Sequence, residues 1–186
     1  MDKKQQADVI VNSHVLWSLG GGLIPLPILD MAAVTFVQLD MLEELARLYD
    51  VEYSARIGRS FITALAGTTV AKLGASAIKA IPGIGSILGT VSMSILSGAT
   101  TYALGQVAIN QMSSGGSLLN IDLEWAKQAY KEAFEQGKSV ASKLEKDKAS
   151  SKQVIDTLEK LGELKEKGVI TEEEFEAQKA KLLERL

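Results

Sequence analysis

Residues 80–121 read AIPGIGSILGTVSMSILSGATTYALGQVAINQMSSGGSLLNI, 42 consecutive positions without a charged side chain. As continuous helix the run would extend about 63 Å, where a membrane-spanning helix needs about 20 residues. Pro82-Gly83 forbids one rod, because proline breaks the helical hydrogen-bond ladder and glycine permits reversal. The run therefore predicts an apolar helical hairpin, with helices over about Ser60–Ile81 and Ile84–Met112. Small residues recur along both: Ala64, Gly67, Ala71, Gly74 and Ala77 on the first, Gly85, Gly89, Gly98 and Gly105 on the second. Such spacing lets helix backbones approach closely. Glycine inside a helix costs about 1 kcal/mol relative to alanine, so several of them need a compensating contact. Gly67, Gly74, Gly85, Gly89, Gly98 and Gly105 are accordingly the candidate packing and oligomerisation residues.

The rest of the chain is charged. Residues 1–60 carry eight acids and five bases, residues 61–121 only Lys72 and Lys79, residues 122–149 six of each sign, and residues 150–186 nine acids and seven bases. Lys72 sits awkwardly in a lipid-embedded helix, at roughly 2.5–3.5 kcal/mol for a mid-bilayer lysine, whereas Lys79 near the hairpin tip can snorkel. Seventeen of the 42 uncharged residues are Gly, Ser or Thr, so the run lacks charge more than it carries apolar bulk. Two readings follow: insertion or peripheral embedding in a bilayer, and a soluble ring, filament or shell with a Gly-rich helical core.

Outside the hairpin, residues 7–19 predict a short amphipathic helix ended by Gly20-Gly21-Gly22. Pro25 and Pro27 hold an extended stretch before a helix that reaches about Tyr49, with Asp30 in its first turn. Ser113-Ser114-Gly115-Gly116-Ser117 marks a boundary, after which Asn120 or Asp122 caps an amphipathic connector helix. Ala126, Tyr130, Ala133, Gly137, Val140 and Leu144 form its narrow seam. Ser150-Ser151 is expected to loosen the chain before a terminal hairpin. There Val154, Ile155, Leu158, Leu161 and Leu164 line one helix, Gly168 suits a left-handed C-cap, and Thr171 with Glu174 makes a capping box. Phe175, Gln178, Leu182 and Leu186 face back. Some 36 residues bury too little to stand alone, so Leu158, Leu161, Leu164, Phe175 and Leu182 are the candidate interaction residues, with self-association the economical outcome. The expected fold is all-α in three parts: 1–117, 118–150 and 151–186.

Several function classes are excluded on chemistry. A net charge of −3 and few aromatics leave no nucleic-acid footprint, and the absence of cysteine removes disulfides, thiolate nucleophiles and thiolate metal sites. No G-x-x-x-x-G-K-[ST] loop or G-x-S-x-G elbow is present, and Gly83-x-Gly85-x-x-x-Gly89 lacks the interval of a dinucleotide-binding turn. His14 is the single histidine, and nothing in the sequence positions carboxylates near it; the expectation is a packed or interfacial histidine, no metal, no cofactor and no catalysis. The stretch 9–19 is too polar for a signal peptide, so secretion is not expected. Arg56 and Arg59 before the hairpin and Lys127 and Lys131 after it suit the cytoplasmic side of a membrane.

Two resemblances sharpen this. Gly20 to Gly105, with Ile24-Pro25-Leu26-Pro27, Asp30, Gln38, Met41, Leu48-Tyr49 and Ile81-Pro82-Gly83-Ile84-Gly85, resembles the YcjF-like bacterial domain family of unknown function. That likeness implies membrane association in a bacterium and frequent company with dynamin-like or Era-like GTPases, and together with the flanking basic residues it gives the cytoplasmic face of the bacterial membrane as the expected location; without its own phosphate loop the chain would meet a GTPase as a separate protein. Leu158 to Leu186, especially Leu161-Gly162-Glu163-Leu164-Lys165-Glu166-Lys167-Gly168-Val169-Ile170-Thr171, resembles the short C-terminal domain family SHOCT. This implies a terminal interaction or oligomerisation module without catalytic residues. The composite expectation is a non-enzymatic, membrane-associated, self-assembling structural or scaffold protein, with lipid and its own copies as partners; the alternatives are the soluble cytoplasmic assembly and an adaptor recruiting a GTPase through the terminal hairpin.

Overall fold

The computed structural model describes residues 2–19, 31–78, 93–166 and 171–183, with side-chain surroundings described for most of these. Among them there are six α-helices, one 3₁₀ turn and no strand: α1 (Lys3–Ser18), α2 (Met31–Tyr49), α3 (Ala55–Ile78), α4 (Met93–Ser113), the 3₁₀ turn Leu118–Asn120, α5 (Leu123–Glu166) and α6 (Glu172–Leu183). The fold class is all-α. The chain divides into two compact units, Met1–Ser142 and Lys143–Leu186.

In unit 1, α4 is the central helix. Gly98, Ala99, Thr101, Ala103, Leu104, Gly105, Val107, Ala108, Ile109 and Met112 are all buried. These positions go all the way round the helix, the pattern of an element with neighbours on every side. α1, α2 and α3 pack on it, and Gly137 of α5 lies against Ala99. The uncharged character of most of residues 98–112 thus goes with burial within the protein, while Tyr102, Gln106 and Asn110, on the side that is half-buried or exposed, are polar but uncharged. No helix among the described residues is long and apolar enough to cross a membrane.

Pairings along α4 set the topology. Val15 and Leu19 lie at Gly98, Val11 at Gly105 and Asp8 at Gln106, so α1 runs antiparallel to α4. Gln38 reaches Thr101 and Met41 lies at Gly105, so α2 runs parallel to it. Gly137 lies at Ala99 and Ala141 at Gly98, so α5 returns antiparallel. α1 begins earlier than expected and buries Ala7, Val11, His14, Val15 and Ser18; of the apolar residues Val9, Ile10, Val15, Leu16 and Trp17 that the sequence offers for its packed face, only Val15 is buried, and Val9 and Trp17 are exposed. Asp2 and Gln5 cap it reciprocally, with Asp2 Oδ1 accepting from the Gln5 N–H at 2.7 Å.

Two helix ends carry the same device. Asp50 takes φ 59°, and the Val51 N–H donates to the Ala46 carbonyl while the Asp50 N–H donates to that of Arg47. Gly115 takes φ 78°, with the Gly116 and Gly115 N–H groups donating to the Gln111 and Met112 carbonyls. Both are left-handed C-terminal caps satisfying otherwise orphaned carbonyls. The Ser/Gly loop boundary at 113–117 is thereby explained by one required left-handed residue. Asp122 then caps α5, accepting from the Glu124 and Trp125 N–H groups at 2.9 and 3.1 Å.

α5 departs from expectation at Ser150-Ser151, through which the helix continues without interruption. Serine lowers helix propensity by a fraction of a kcal/mol, too little to break a helix flanked by good formers. The seam on its first half is present but turned inward. Ala126, Tyr130, Ala133 and Gly137 are buried, and the next buried residue is Ala141 rather than Val140, as a 3.6-residue period gives in place of strict heptads.

In unit 2 the end of α5 and α6 form the terminal hairpin. Lys165 Nζ donates to Glu172 at 2.7 Å and lies 4.8 Å from the Phe175 ring centre, while Val154 and Leu182 line a common small cleft. The capping box forms as predicted: the Thr171 N–H donates to Glu174 Oε2 at 2.9 Å, and the Glu174 N–H to Thr171 Oγ1 at 3.2 Å. The helix start near Pro27, Asp30, Lys79, the Pro82-Gly83 turn, Gly168 and Leu186 lie outside the described residues.

Candidate functional site

Because α1 opposes α4 while α2 accompanies it, the end of α1 and the starts of α2 and α4 meet at one end of unit 1. In the sequence, residues 20–30 precede α2 and residues 79–92 precede α4. At this end Trp17 is 53% and Phe36 72% exposed. An indole and a phenyl ring facing outward at one rim are the side chains that partition favourably into a membrane interface. The opposite end of α4 carries a different exposed group, Leu119, Leu123 and Trp125, beside the capping residue Asp122.

Beneath the first rim is a buried polar network. Ser18 Oγ donates to the His14 carbonyl at 2.9 Å and lies 2.8 Å from Thr101 Oγ1, which also accepts from Gln38 Nε2 at 3.2 Å. Three helices are thereby stitched at one level, and each buried polar group has a partner. One turn away, His14 is 1% exposed, with Nδ1 2.8 Å from the Ile10 carbonyl and Nε2 3.1 Å from Asp40 Oδ2. A carbonyl only accepts, so Nδ1 carries the proton. Trp17 covers the imidazole at 4.7 Å between ring centres. Glu44, one turn beyond Asp40, brings its carboxylate to the same place; the ligand atoms of His14, Asp40 and Glu44 all lie within 4.8 Å of one another. The sequence reading leaves His14 without carboxylate neighbours, and the fold supplies two.

Tyr53 braces α2 from the connection to α3, its Oη donating to the Leu39 carbonyl at 2.9 Å. Burial, followed by the Glu43 and Asp40 carboxylates, pushes its pKa up to about 12. Burial likewise raises Tyr102 and Tyr49.

The glycines singled out from sequence have different surroundings. Gly98 is buried, and a Cβ there would lie 2.9 Å from Ala141 Cβ and 3.1 Å from Leu19 Cδ2. At Gly105 it would lie 3.0 Å from Val11 Cγ1 and 3.2 Å from Met41 Sδ. Both close approaches are made to α1, α2 and α5 rather than to the sequence-adjacent α3. Gly67 is exposed, with only Thr63 near it, at 3.9 Å. Gly74 lies in the part of α3 whose side-chain surroundings are not described, as does Lys72, while Gly85 and Gly89 fall outside the described residues. A close approach that sequence reasoning did not single out as such is Gly137, where a Cβ would meet the Ala99 carbonyl oxygen at 2.9 Å. In unit 2, Leu158, Leu161, Phe175 and Leu182 are half-buried, Ile155 and Leu183 are exposed, and Leu164 lies among the side chains not described.

Residues 2–139 match the family described as Domain of unknown function (DUF697), about three quarters of the chain. The chain belongs to the DUF697 family. Residues 156–183 match the Short C-terminal domain, SHOCT. The DUF697 match takes in α1 and the inward-turned first part of α5, the elements whose buried faces complete the packing around α4. The chain is 35% identical over 150 residues to Magnetosome membrane protein 22 of Magnetospirillum gryphiswaldense, an alignment covering 78% of this chain and 77% of the relative. No solved structure matches. The descriptions of the two matched families name no enzymatic activity.

Proposed function

We propose that this DUF697–SHOCT protein is a non-enzymatic, membrane-associated scaffold that meets the bilayer with the Trp17–Phe36 end of its helical bundle. The observation that carries the reading is the exposure of these two rings toward one end of unit 1. Transfer of one such side chain from water contributes about 1.5–3 kcal/mol, so the pair contributes to reversible peripheral binding, which needs a further apolar or electrostatic contact to become firm. The relative's printed description as a magnetosome membrane protein supports a membrane setting. The test is flotation of the full chain with phosphatidylethanolamine/phosphatidylglycerol vesicles. Wild type is expected to float, and Trp17→Ser/Phe36→Ser to lose at least about tenfold in partitioning with its helicity unchanged. Equal flotation of the two, or none by wild type, contradicts the reading.

A second element concerns assembly. The SHOCT hairpin exposes Ile155 and Leu183 while half-burying Leu158, Leu161, Phe175 and Leu182, an apolar set two short helices do not enclose. We propose that a second copy of the chain covers it, at the cytoplasmic face of the membrane. Sedimentation of Ile155→Ser/Leu183→Ser is expected to shift toward monomer. A separate GTPase as the occupant would instead leave wild type monomeric on its own.

A further inference from the structure

We propose that His14, Asp40 and Glu44 form a binding site for a first-row divalent transition-metal ion on the α1–α2 seam. His14 Nδ1 is committed as donor to the Ile10 carbonyl at 2.8 Å, which leaves Nε2 as the nitrogen that faces Asp40 Oδ2 at 3.1 Å. A neutral imidazole would there point its lone pair at a carboxylate. The arrangement needs a cation, either a proton on Nε2 or a metal ion between the two atoms. A proton serves His14 and Asp40 alone. It leaves the Glu44 carboxylate facing that of Asp40 four residues away on the same helix, a like-charge pair that opposes helix stability. A divalent ion neutralises both acids and accepts the nitrogen.

The surroundings fit this chemistry. A histidine ligand that donates its other ring N–H to a backbone carbonyl has its tautomer and ring plane fixed in advance. Burial of His14 at 1% exposure holds the nitrogen still, while the Asp40 side chain, 43% exposed, leaves a route in and open positions for water. Metal–ligand distances of about 2.0–2.2 Å put neighbouring ligand atoms about 3.0–3.5 Å apart. The His14–Asp40 separation already meets this, and the widest pair, within 4.8 Å, closes by turning the partly exposed Glu44 side chain. One imidazole with two carboxylates favours ions such as Zn²⁺, Co²⁺ or Mn²⁺ over Mg²⁺. The site ties α1 to α2 just below the Trp17 rim, so its occupancy would fix the register of the proposed membrane-facing end.

The experiment titrates Co²⁺ and Zn²⁺ into the untagged full chain by calorimetry, with the Co²⁺ absorption band and the NMR resonances of the single imidazole as independent readouts. One ion per chain is expected, with Zn²⁺ tighter than Co²⁺, loss of the His14 resonances to paramagnetic broadening by Co²⁺, and no displacement by about 1 mM Mg²⁺. Glu44→Gln and Asp40→Asn, both at partly exposed positions, should each weaken binding at least about tenfold while circular dichroism stays unchanged. These variants keep the test decisive if His14→Gln fails to fold. Absence of stoichiometric binding below about 1 mM, binding indifferent to Glu44→Gln, or undisturbed His14 resonances overturns the proposal. None of these readouts involves lipid, so failure here is separable from failure of the membrane reading.

Discussion

Unit 1 and unit 2 are built from the same ingredient, antiparallel helices, with opposite results. Unit 1 surrounds α4 on all sides and fully encloses Met41, Leu42, Leu45, Leu65, Leu104 and Met112. In unit 2, among the described residues, Val154 alone is a buried side chain, and the apolar residues around it remain partly open to water. The difference lies in the number of layers. A helix flanked on several sides buries its whole circumference, whereas a two-helix hairpin buries one stripe per helix and cannot offset the conformational entropy of ordering. Unit 1 holds a closed core, and unit 2 leaves its apolar stripe partly open to water.

The sharpest way to break this contrast is to separate the pieces. A chain ending at Ser142 is expected to melt cooperatively, and a peptide of residues 143–186 to show little helicity at micromolar concentration; a cooperative transition in the peptide would erase the distinction. Next in size are matched glycine substitutions. Gly105→Leu drives a side chain into Val11 and Met41 and should cost about 3 kcal/mol by chemical denaturation. Gly162→Ala, where nothing lies within 4 Å, should stabilise its helix by up to about 1 kcal/mol. Equal effects at the two positions would mean unit 2 is as closely packed as unit 1.

Tyr53 gives a smaller effect with a defined pH window. Its folded pKa of about 12 stands above the unfolded value of 10.0, so the protonated phenol favours the folded state. That contribution is complete below pH 10 and is lost as pH rises toward 12. Wild type should lose stability relative to Tyr53→Phe across that interval, while at neutral pH the variant is less stable by about 1 kcal/mol, the worth of the bond to Leu39. Smallest is Thr171→Ala, which removes one cap bond at the start of α6 and should lower the stability of that helix by about 1 kcal/mol, read as reduced helicity of unit 2 while unit 1 melts unchanged.

Local rules were legible where local chemistry decides. The Thr171–Glu174 box, the cap at Asp122, one of the two residues the sequence offers for it, and the boundary at 113–117 each depend on side chains within a few positions of one another. Long-range pairing was not legible. The small residues of α4 signal close approach, but nothing in their spacing says that Val11, Val15 and Leu19 of α1 fill the grooves. Likewise Asp40 and Glu44 announce two carboxylates on one helix face, while the register that sets His14 opposite them is fixed only by Ser18, Thr101 and Gln38 meeting at a neighbouring level. Absence of charge was legible as burial, but burial in protein and burial in lipid leave the same mark on a sequence. For most of residues 98–112 the fold assigns it to protein.

The chain's two tryptophans stand at opposite ends of unit 1, which makes them paired reporters of orientation at a bilayer. With Trp125→Phe, the remaining Trp17 should shift its fluorescence to the blue on vesicle addition and be quenched by brominated acyl chains. With Trp17→Phe, the remaining Trp125 should do neither under conditions where the protein still binds. Quenching of Trp125 with Trp17 unaffected, or no response from either, would contradict a bundle that faces the membrane with its Trp17–Phe36 end.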